Sequence, residues 1–233
     1  RLLVIEDAAQ SIHCRYRGKT SGTLGQLAAV SFHETKSVIS GEGGALLIND
    51  PRFLERAEII RDKGTNRKAF LAGQVDKYTW VDLGSSYGPP DYVAAFLMAQ
   101  LESSEKIVRD RVAIWQRYHA GLADLERQGL LRRPIIPADC EHSAHLYYVL
   151  LAKPEWRDSF IQSLGEAGVH ATFHYVPLHS SPAGMRFGRA HGSMAVTEDL
   201  AARLVRLPIW PGLENHVDRI LDAVHSALHA RVG

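Results

Sequence analysis

One lysine stands where it could act as a nucleophile. Lys36 follows the apolar run 27–32 and precedes the glycine-rich segment 41–44, which leads into the apolar residues 45–48. Apolar strands on both sides would hold the Lys36 amine at a strand end, partly shielded from water. Shielding disfavours the charged form of a lysine, and the neutral amine can attack a carbonyl carbon to form a Schiff base. From this segment alone, a solvated lysine in a surface loop is the simpler interpretation.

A carboxylate near the start of the chain adds a second chemical group. Asp7 follows residues 2–5, which are predicted as a buried parallel strand. Ligands of open α/β sheets bind beyond the carboxyl ends of strands, so Asp7 and Lys36 could face one crevice. A pyridoxal cofactor needs such a pair, since a lysine holds it and a carboxylate keeps its ring nitrogen protonated. The freed lysine amine can then move a proton between two carbon atoms. Alone, such a pair is common in α/β proteins.

The predicted elements that must position these groups fall into two parts. Strands are expected over 2–5, 28–33 and 44–48. A helix is expected after residue 50, with Asp50 as its N-cap and Pro51 at its first position, and further helices are expected over 91–102 and 105–127. The later part is expected to contain strands over 146–151 and 169–174 and helices over 155–167, 198–205 and 215–229. This pattern predicts an α/β domain over 1–128, including a bridging helix, and a smaller α+β domain over 129–233.

Two features of the sequence are unusual for a complete domain: a long loop and a strand at the start of the chain. The polar, aromatic segment 63–90 is longer than an ordinary connection, which is typical of functional or interfacial loops. A buried parallel strand seldom begins a domain, so we expect the chain to continue before Arg1 as the C-terminal part of a longer protein.

Composition narrows the function classes. The 233 residues are 45% hydrophobic and 23% charged with a net charge of +1, which indicates a globular chain without a basic field for nucleic acid. No membrane span or signal peptide is visible, so a cytoplasmic protein is expected. Cys14 and Cys140 fit neither a disulfide framework nor a metal motif. Four histidines (His142, His145, His174 and His179) lack further ligands at metal-binding spacing, so no metal is expected.

Several motifs, in a fixed order, resemble the DegT/DnrJ/EryC1/StrS family of sugar aminotransferases. They lie at 6–10, 22–25, 31–36, 41–44, 63–67, 76–80, 84–87 and 173–179. The forms Phe-His-Glu-Thr-Lys and Asp-Lys-Tyr-Thr-Trp are most similar to the dTDP-4-amino-4,6-dideoxygalactose transaminase branch. The resemblance covers nearly the whole chain.

The resemblance implies a fold and an activity. The fold would be fold-type I, the α/β fold of pyridoxal 5'-phosphate aminotransferases, with the N-terminal part of the family chain missing. The activity would transfer an amino group from glutamate to C4 of a nucleotide-linked keto-sugar, dTDP-4-keto-6-deoxyglucose. The expected assembly is a homodimer with shared active sites, without nucleic-acid or membrane partners.

The resemblance also assigns roles to single residues. Lys36 would be the catalytic residue and bind the cofactor covalently. The other cofactor-binding residues would be Asp7 at the pyridinium, Gln10 at the ring hydroxyl, Ser31 at the phosphate and Ser86, which would reach the phosphate of the neighbouring subunit. Without the resemblance, Ser31 could simply bond a strand end, Gln10 could cap a turn, and Ser86 could be an ordinary loop serine.

Four further polar positions relate to the substrate. His174 and Tyr175 would lie near the sugar. Arg67 and Lys77 are candidates for binding a substrate phosphate or carboxylate, although solvated loop charges explain them almost as well.

The chain departs from the family pattern at three places. Ser37 replaces the usual asparagine, Gly88-Pro89-Pro90 replaces a less rigid segment, and the N-terminal part that completes the cofactor pocket is absent. An alternative is therefore a truncated, non-catalytic remnant that acts as a dimerisation or binding module. A dehydratase of the same family is a weaker alternative, because those enzymes carry histidine in place of Lys36.

Overall fold

The structure is a computed structural model that describes residues 2–231. The chain divides into two compact units. Unit 1 comprises Arg1–Ile107 and Ala138–Ser143, and unit 2 comprises Val108–Pro137 and Ala144–Gly233. The chain thus leaves unit 1 at residue 107, whereas the sequence placed the boundary after residue 128. The domain assignment from the sequence stays a prediction.

Strands and helices alternate irregularly along the chain. The strands are β1 (Ile5–Asp7), β2 (Arg15–Tyr16), β3 (Lys19–Thr20), β4 (Leu27–Ser31), β5 (Gly44–Ile48), β6 (Leu131–Arg132), β7 (Cys140–Glu141), β8 (Tyr147–Leu151), β9 (Thr172–Phe173) and β10 (Leu204–Leu207). The helices are α1 (Leu54–Arg61), α2 (Arg67–Leu71), α3 (Asp91–Glu102), α4 (Ser104–Gly121), α5 (Ala123–Arg127), α6 (Arg157–Glu166), α7 (Pro182–Phe187), α8 (Ala195–Arg203) and α9 (Val217–His229). Short 3-10 turns cover Pro51–Phe53, Pro154–Trp156, Leu178–Ser180 and Glu214–His216.

The main sheet of unit 1 has the strand order β1-β4-β5. β1 runs parallel to β4, and β4 runs antiparallel to β5. A second small sheet, β3-β2-β7, joins residues that are far apart in the sequence. The expected strand over 44–48 and the Asp50 cap are confirmed, since the Asp50 side chain accepts a hydrogen bond from the Arg52 backbone.

The first strand differs from the prediction. It spans only Ile5–Asp7, and the side chains of residues 2–5 are 53–91% exposed instead of buried. Among residues 2–231, β1 pairs with β4 on one side alone, so the expected burial of this run is not seen. Of the strand expected over 2–5, only Ile5 lies in β1, because pairing and burial depend on neighbours that the local sequence does not specify.

Unit 2 is built on a four-stranded sheet of order β6-β8-β10-β9. Its three pairings are antiparallel. The sheet packs with the surrounding helices into one apolar core that includes Tyr118, Tyr147, Val149, Phe160 and Val205, each fully buried. Helix α9 buries Val217, Ile220, Val224, Ala227 and Leu228, a spacing of three and four residues that places them on one helical face.

The strand β10 was missed by the sequence prediction. A helix was expected over 198–205, but α8 ends at Arg203 and Leu204–Leu207 pairs with Tyr147–Leu150 of β8. The non-local pairing overrides the helical pattern at this point. None of the helices formed by residues 2–231 combines the length and the apolar character needed to cross a membrane.

Candidate functional site

The parallel pair β1 and β4 brings two of the candidate residues to one sheet edge. Asp7 ends β1 and lies opposite Ala29, and Ser31 ends β4 two residues further on. The backbone N–H of Ala8 continues the ladder with a 2.9 Å hydrogen bond to the Ala29 carbonyl. Because the strands are parallel, their carboxyl ends meet at the same edge, where ligands bind in sheets of this kind.

The Asp7 carboxylate is available to a ligand. The residue is exposed, and its Oδ1 accepts a 3.1 Å hydrogen bond from the backbone N–H of Ala9. None of the described residues donates a hydrogen bond to the second carboxylate oxygen, so this oxygen can accept one from a cationic or N–H group of a ligand. Gln10 lies three residues further along the same turn and is also exposed, while its carbonyl accepts a 3.5 Å hydrogen bond from Ser143 Oγ.

Lys36 lies in a loop that its own backbone holds closed. This loop (residues 32–43, the lysine loop) is tied at its mouth by hydrogen bonds from Phe32 N to the Gly43 carbonyl at 2.9 Å and from Glu34 N to the Gly41 carbonyl at 2.7 Å. Gly41 and Gly43 have φ of +84° and +151°, a region that glycine adopts without strain. The glycines therefore serve the turn, as the sequence indicated.

The lysine itself is half-buried and its backbone is anchored. Its N–H donates a 2.9 Å hydrogen bond to the His33 carbonyl, and Ser37 and Val38 directly after it are buried. Across residues 2–231, no side chain forms a hydrogen bond or ion pair with Lys36 Nζ. A fixed backbone with an uncommitted amine suits a lysine that bonds to a ligand.

Ser31 and Ser86 have different surroundings. Ser31 is half-buried, and its Oγ accepts a long, 3.4 Å hydrogen bond from the His33 backbone. Its hydroxyl proton can thus point to a ligand. Ser86 is exposed and pairs with Asp62 through an isolated antiparallel bridge, which holds it against the end of α1.

The long loop around Ser86 is more ordered than a solvated connector. Asn66 accepts a 2.7 Å hydrogen bond from Thr79 N and donates a 3.0 Å bond to the Lys77 carbonyl. Gly64, at φ +74°, accepts from the backbones of Val81 and Asp82. Of the two cations proposed from the sequence, Arg67 lies 3.6 Å from the Asp62 carboxylate and Lys77 is exposed.

Glu6 was not considered as a site residue, although its carboxylate organises this region. It accepts hydrogen bonds from the backbones of Gly22, Leu24 and Gly25 at 2.8, 2.6 and 2.7 Å. Burial raises the pKa of Glu6, but the hydrogen bonds from the backbones of Gly25, Gly22 and Leu24 together lower it by more. The pKa of Glu6 therefore lies below its usual range. The signal was visible in the sequence as an acid directly before Asp7 and a glycine-flanked turn at 22–25.

In unit 2, His174 and Tyr175 follow β9. Tyr175 is 67% exposed and has φ +54°, and the Arg206 guanidinium lies 5.7 Å from its ring centre. His174 Nδ1 and Arg206 Nε are buried without a hydrogen-bond partner among the described residues. Burial lowers the pKa of His174, and the neighbouring Arg206 charge lowers it further, so the ring is neutral near pH 7.

A cavity of about 650 Å³ lies beside these residues within unit 2. Its lining includes Phe173, Tyr175, Ser180, Arg157 and Glu198, a mixture of aromatic and charged groups. His179 contacts one of these lining residues, since its Nε2 lies 3.0 Å from the Glu198 carboxylate. Arg206 is a functional candidate that sequence reasoning missed, because only the strand pairing brings it to Tyr175.

The donor set of unit 1 fits pyridoxal phosphate. This cofactor uses a lysine amine for its carbonyl carbon and a carboxylate for its ring nitrogen, and an amide and a hydroxyl are able to bond its polar substituents. Asp7, Gln10, Ser31 and Lys36 carry groups of these types on β1, on β4 and on the segments that follow them, and neither Asp7 nor Lys36 forms an ion pair with another residue of the range 2–231.

Comparisons with known proteins agree with this chemistry. The protein-family model described as the DegT/DnrJ/EryC1/StrS aminotransferase family matches residues 1–225. The dTDP-3-amino-3,4,6-trideoxy-alpha-D-glucose transaminase of Streptomyces venezuelae is 33% identical over 226 residues, 96% of this chain and 56% of that protein. The GDP-perosamine synthase of Caulobacter vibrioides is 30% identical over 232 residues, 97% of this chain and 59% of that protein.

A solved structure shows the same fold. The crystal structure of S. venezuelae DesV in complex with a ketimine intermediate matches with a TM-score of 0.83 and 31% identity. The match covers 97% of this chain and 58% of DesV. The chain therefore spans about three-fifths of the length of the relatives that it matches.

Proposed function

The chain belongs to the DegT/DnrJ/EryC1/StrS aminotransferase family, and we propose that it carries the catalytic lysine of a pyridoxal-phosphate-dependent sugar aminotransferase. The observation that carries the proposal is the placement of Asp7 and Ser31 at the carboxyl ends of adjacent parallel strands. Lys36 follows Ser31 by five residues on a closed loop.

Each residue would have a separate task at the cofactor. Lys36 would hold the cofactor and, once released, move a proton between substrate carbon atoms, for which its uncommitted amine is suited. The Asp7 carboxylate would keep a proton on the ring nitrogen. Ser31 would donate to the phosphate and Gln10 would bond the ring hydroxyl. Pyridoxal phosphate, when bound, supplies the electron sink that makes this proton transfer possible.

The substrates that we propose are glutamate and a nucleotide-linked keto-sugar, with dTDP-4-keto-6-deoxyglucose aminated at C4. Support comes from the motifs at 32–36 and 76–80 and from relatives whose names include a dTDP-sugar transaminase. His174 and Tyr175 would contact the sugar. Arg206 places a cation beside them, which suits a substrate that carries phosphates.

We further propose a cytoplasmic homodimer in which Ser86 reaches the phosphate bound by the partner subunit. Its exposed hydroxyl and its fixed position against Asp62 support this role. Serine is shorter than asparagine, so the partner's phosphate would have to lie close to the loop.

Covalent trapping tests the proposal directly. The chain is incubated with pyridoxal phosphate and then reduced with borohydride, and the masses of its tryptic peptides are measured by mass spectrometry. The expected result is one reduced adduct at Lys36, lost in Lys36→Ala and retained in Lys19→Ala, which removes an exposed lysine of β3. Random labelling of exposed lysines, with Lys36 no more reactive than Lys19, would contradict the proposal.

The exposed apolar residues 2–5 favour a second candidate, a non-catalytic dimerisation or binding module. This candidate predicts a stable oligomer in sedimentation velocity together with no selective labelling of Lys36. Selective labelling of Lys36 excludes it as the sole function.

A further inference from the structure

The side chain that organises the turn before Lys36 is His33. Its ring Nδ1 lies 3.1 Å from the Thr35 backbone N–H and 2.9 Å from Thr35 Oγ1. Its carbonyl accepts the Lys36 N–H at 2.9 Å. One residue therefore fixes both backbone N–H groups that lead into the lysine side chain.

These contacts define the protonation of the ring. A backbone N–H can only donate, so Nδ1 must be unprotonated to accept from Thr35. The proton of the neutral ring then sits on Nε2, which faces the Glu42 carboxylate at 3.6 Å. Glu42 lies on the opposite side of the lysine loop, where the bridge between His33 and Gly41 closes the loop.

The same geometry reaches the phosphate candidate. The His33 backbone N–H donates to Ser31 Oγ at 3.4 Å, so His33 contacts the polar residue that ends β4 as well as Thr35. The side chains of Phe32 and Val38 are buried and apolar, so they can pack the loop but cannot form hydrogen bonds that set the direction of the turn. The hydrogen bonds of His33 supply that direction.

We propose that His33 is a positioning residue, which holds the Thr35–Lys36 backbone so that the Lys36 amine points to the carbonyl group that it attacks. The inference rests on the proposed function for Lys36. An attacking amine gains rate from a fixed approach geometry, and a freely turning backbone loses that gain.

Two substitutions separate the hydrogen bond from the bulk of the ring. In His33→Asn, the side-chain oxygen can accept from the backbone N–H two residues on, which is the contact that Asn makes in turns. In His33→Phe, a ring of similar volume remains without an acceptor. Asn should therefore rescue what Phe loses, whereas a packing role would show the reverse.

The first measurement is amide hydrogen exchange of the chain without cofactor. The Thr35 N–H should be protected in wild type and in His33→Asn and unprotected in His33→Phe. Free exchange of this amide in the wild-type chain overturns the inference, whether or not the variants fold.

The second measurement is the rate of reductive labelling of Lys36 by pyridoxal phosphate. We expect wild type and His33→Asn to label at similar rates and His33→Phe about fivefold more slowly, the factor set by losing one hydrogen bond. Equal rates for His33→Phe and wild type overturn the inference alone. A wild-type chain that is not labelled at Lys36 overturns the proposed function, and the inference with it.

Discussion

The carboxylate of Glu6 accepts a 2.8 Å hydrogen bond from the backbone N–H of Gly22. The two residues belong to the motifs at 6–10 and 22–25, which resemble the family pattern separately but form one structural unit. Asn49 completes it, because its side chain donates to the carbonyls of Gly22 and Gly25 at 2.8 and 3.0 Å. The turn at 22–25 thus supports the end of β1, where Asp7 lies.

Glu6 should make the stability of the chain depend on pH. Its pKa is lower in the folded chain than in the unfolded chain, so its contribution is present above about pH 4.3 and is lost as the pH falls through the folded value. Glu6→Gln should cost on the order of 1 kcal/mol at pH 7 and less at pH 3, since the contribution of the charged acceptor decreases as the pH falls below the unfolded pKa. Urea titrations followed by circular dichroism at both pH values measure this.

The control for Glu6 is Glu102→Gln, an exposed carboxylate at the end of α3. It should leave the stability at both pH values within about 0.5 kcal/mol of wild type. A Glu6→Gln penalty that is the same at pH 3 and pH 7 would show that packing, and not charge, explains the loss.

Asp7 should determine how tightly the chain retains pyridoxal phosphate. In Asp7→Asn the group that stabilises a protonated ring nitrogen is lost, and a hydrogen bond to a charged group is worth about 1.5–3 kcal/mol. We expect the dissociation constant to rise roughly 10- to 100-fold, measured from the cofactor's absorbance band. Asp76→Asn removes an exposed acid of the same unit and should leave the constant unchanged; an equal effect of both variants would remove Asp7 from the site.

The sequence predicted those elements whose signals are local. Helix α3 was expected at 91–102 and spans Asp91–Glu102, because Pro90 ends the preceding loop and an apolar helical run follows it. Asp7 and Lys36 were recognisable because each follows an apolar run, whereas Ser31 was assigned from the resemblance to the family. The parallel pairing of β1 with β4 brings Asp7 and Ser31 to one edge of the sheet.

Features that depend on distant partners were not predictable in the same way. β2 and β7 are two residues long and pair Arg15 with Glu141, across more than a hundred residues of chain. The contact of Arg206 with Tyr175 depends on the pairing of β10 with β9. In the sequence, His33 was only one residue of the motif at 31–36. Its hydrogen bonds to Thr35 depend on the folded conformation of the lysine loop.

Gly64 should be essential for the order of the loop that carries Ser86. At φ +74°, an added Cβ would overlap the Asp82 carbonyl oxygen, which is backbone and cannot turn away. Gly64→Ala should therefore lower the free energy of unfolding by more than about 2 kcal/mol. It should also make the peptide bond after Lys77 more susceptible to trypsin. The loss would be measured as the rate of cleavage after Lys77 in the folded chain.

Gly73 provides the matched control in the same loop. It has a similar φ of +69°, but no atom lies within 4 Å of an added Cβ. Gly73→Ala should cost about 1 kcal/mol of backbone strain and leave the cleavage rate nearly unchanged. Equal cleavage of both variants would mean that strain alone, and not the approach of Asp82, opens the loop.

Two buried tyrosines of unit 2 should respond oppositely to loss of their hydroxyl groups. Tyr118 and Tyr147 are both fully buried, with ring centres 5.1 Å apart. Tyr118 donates a 2.9 Å hydrogen bond to the Pro208 carbonyl, whereas the Tyr147 hydroxyl is buried without a partner among residues 2–231. Tyr118→Phe should destabilise the chain by about 1–2 kcal/mol, because it removes the hydrogen bond to the partly buried Pro208 carbonyl.

Tyr147→Phe should be neutral or stabilising, because it removes a polar group whose burial is not compensated. The two variants lose the same atom from the same core, so the difference in their free energies of unfolding isolates the hydrogen bond from the packing. Urea titrations of both variants and of the double variant measure that difference. A loss in Tyr147→Phe as large as in Tyr118→Phe would reveal a partner for the Tyr147 hydroxyl, and a double variant no worse than Tyr118→Phe would confirm that it has none.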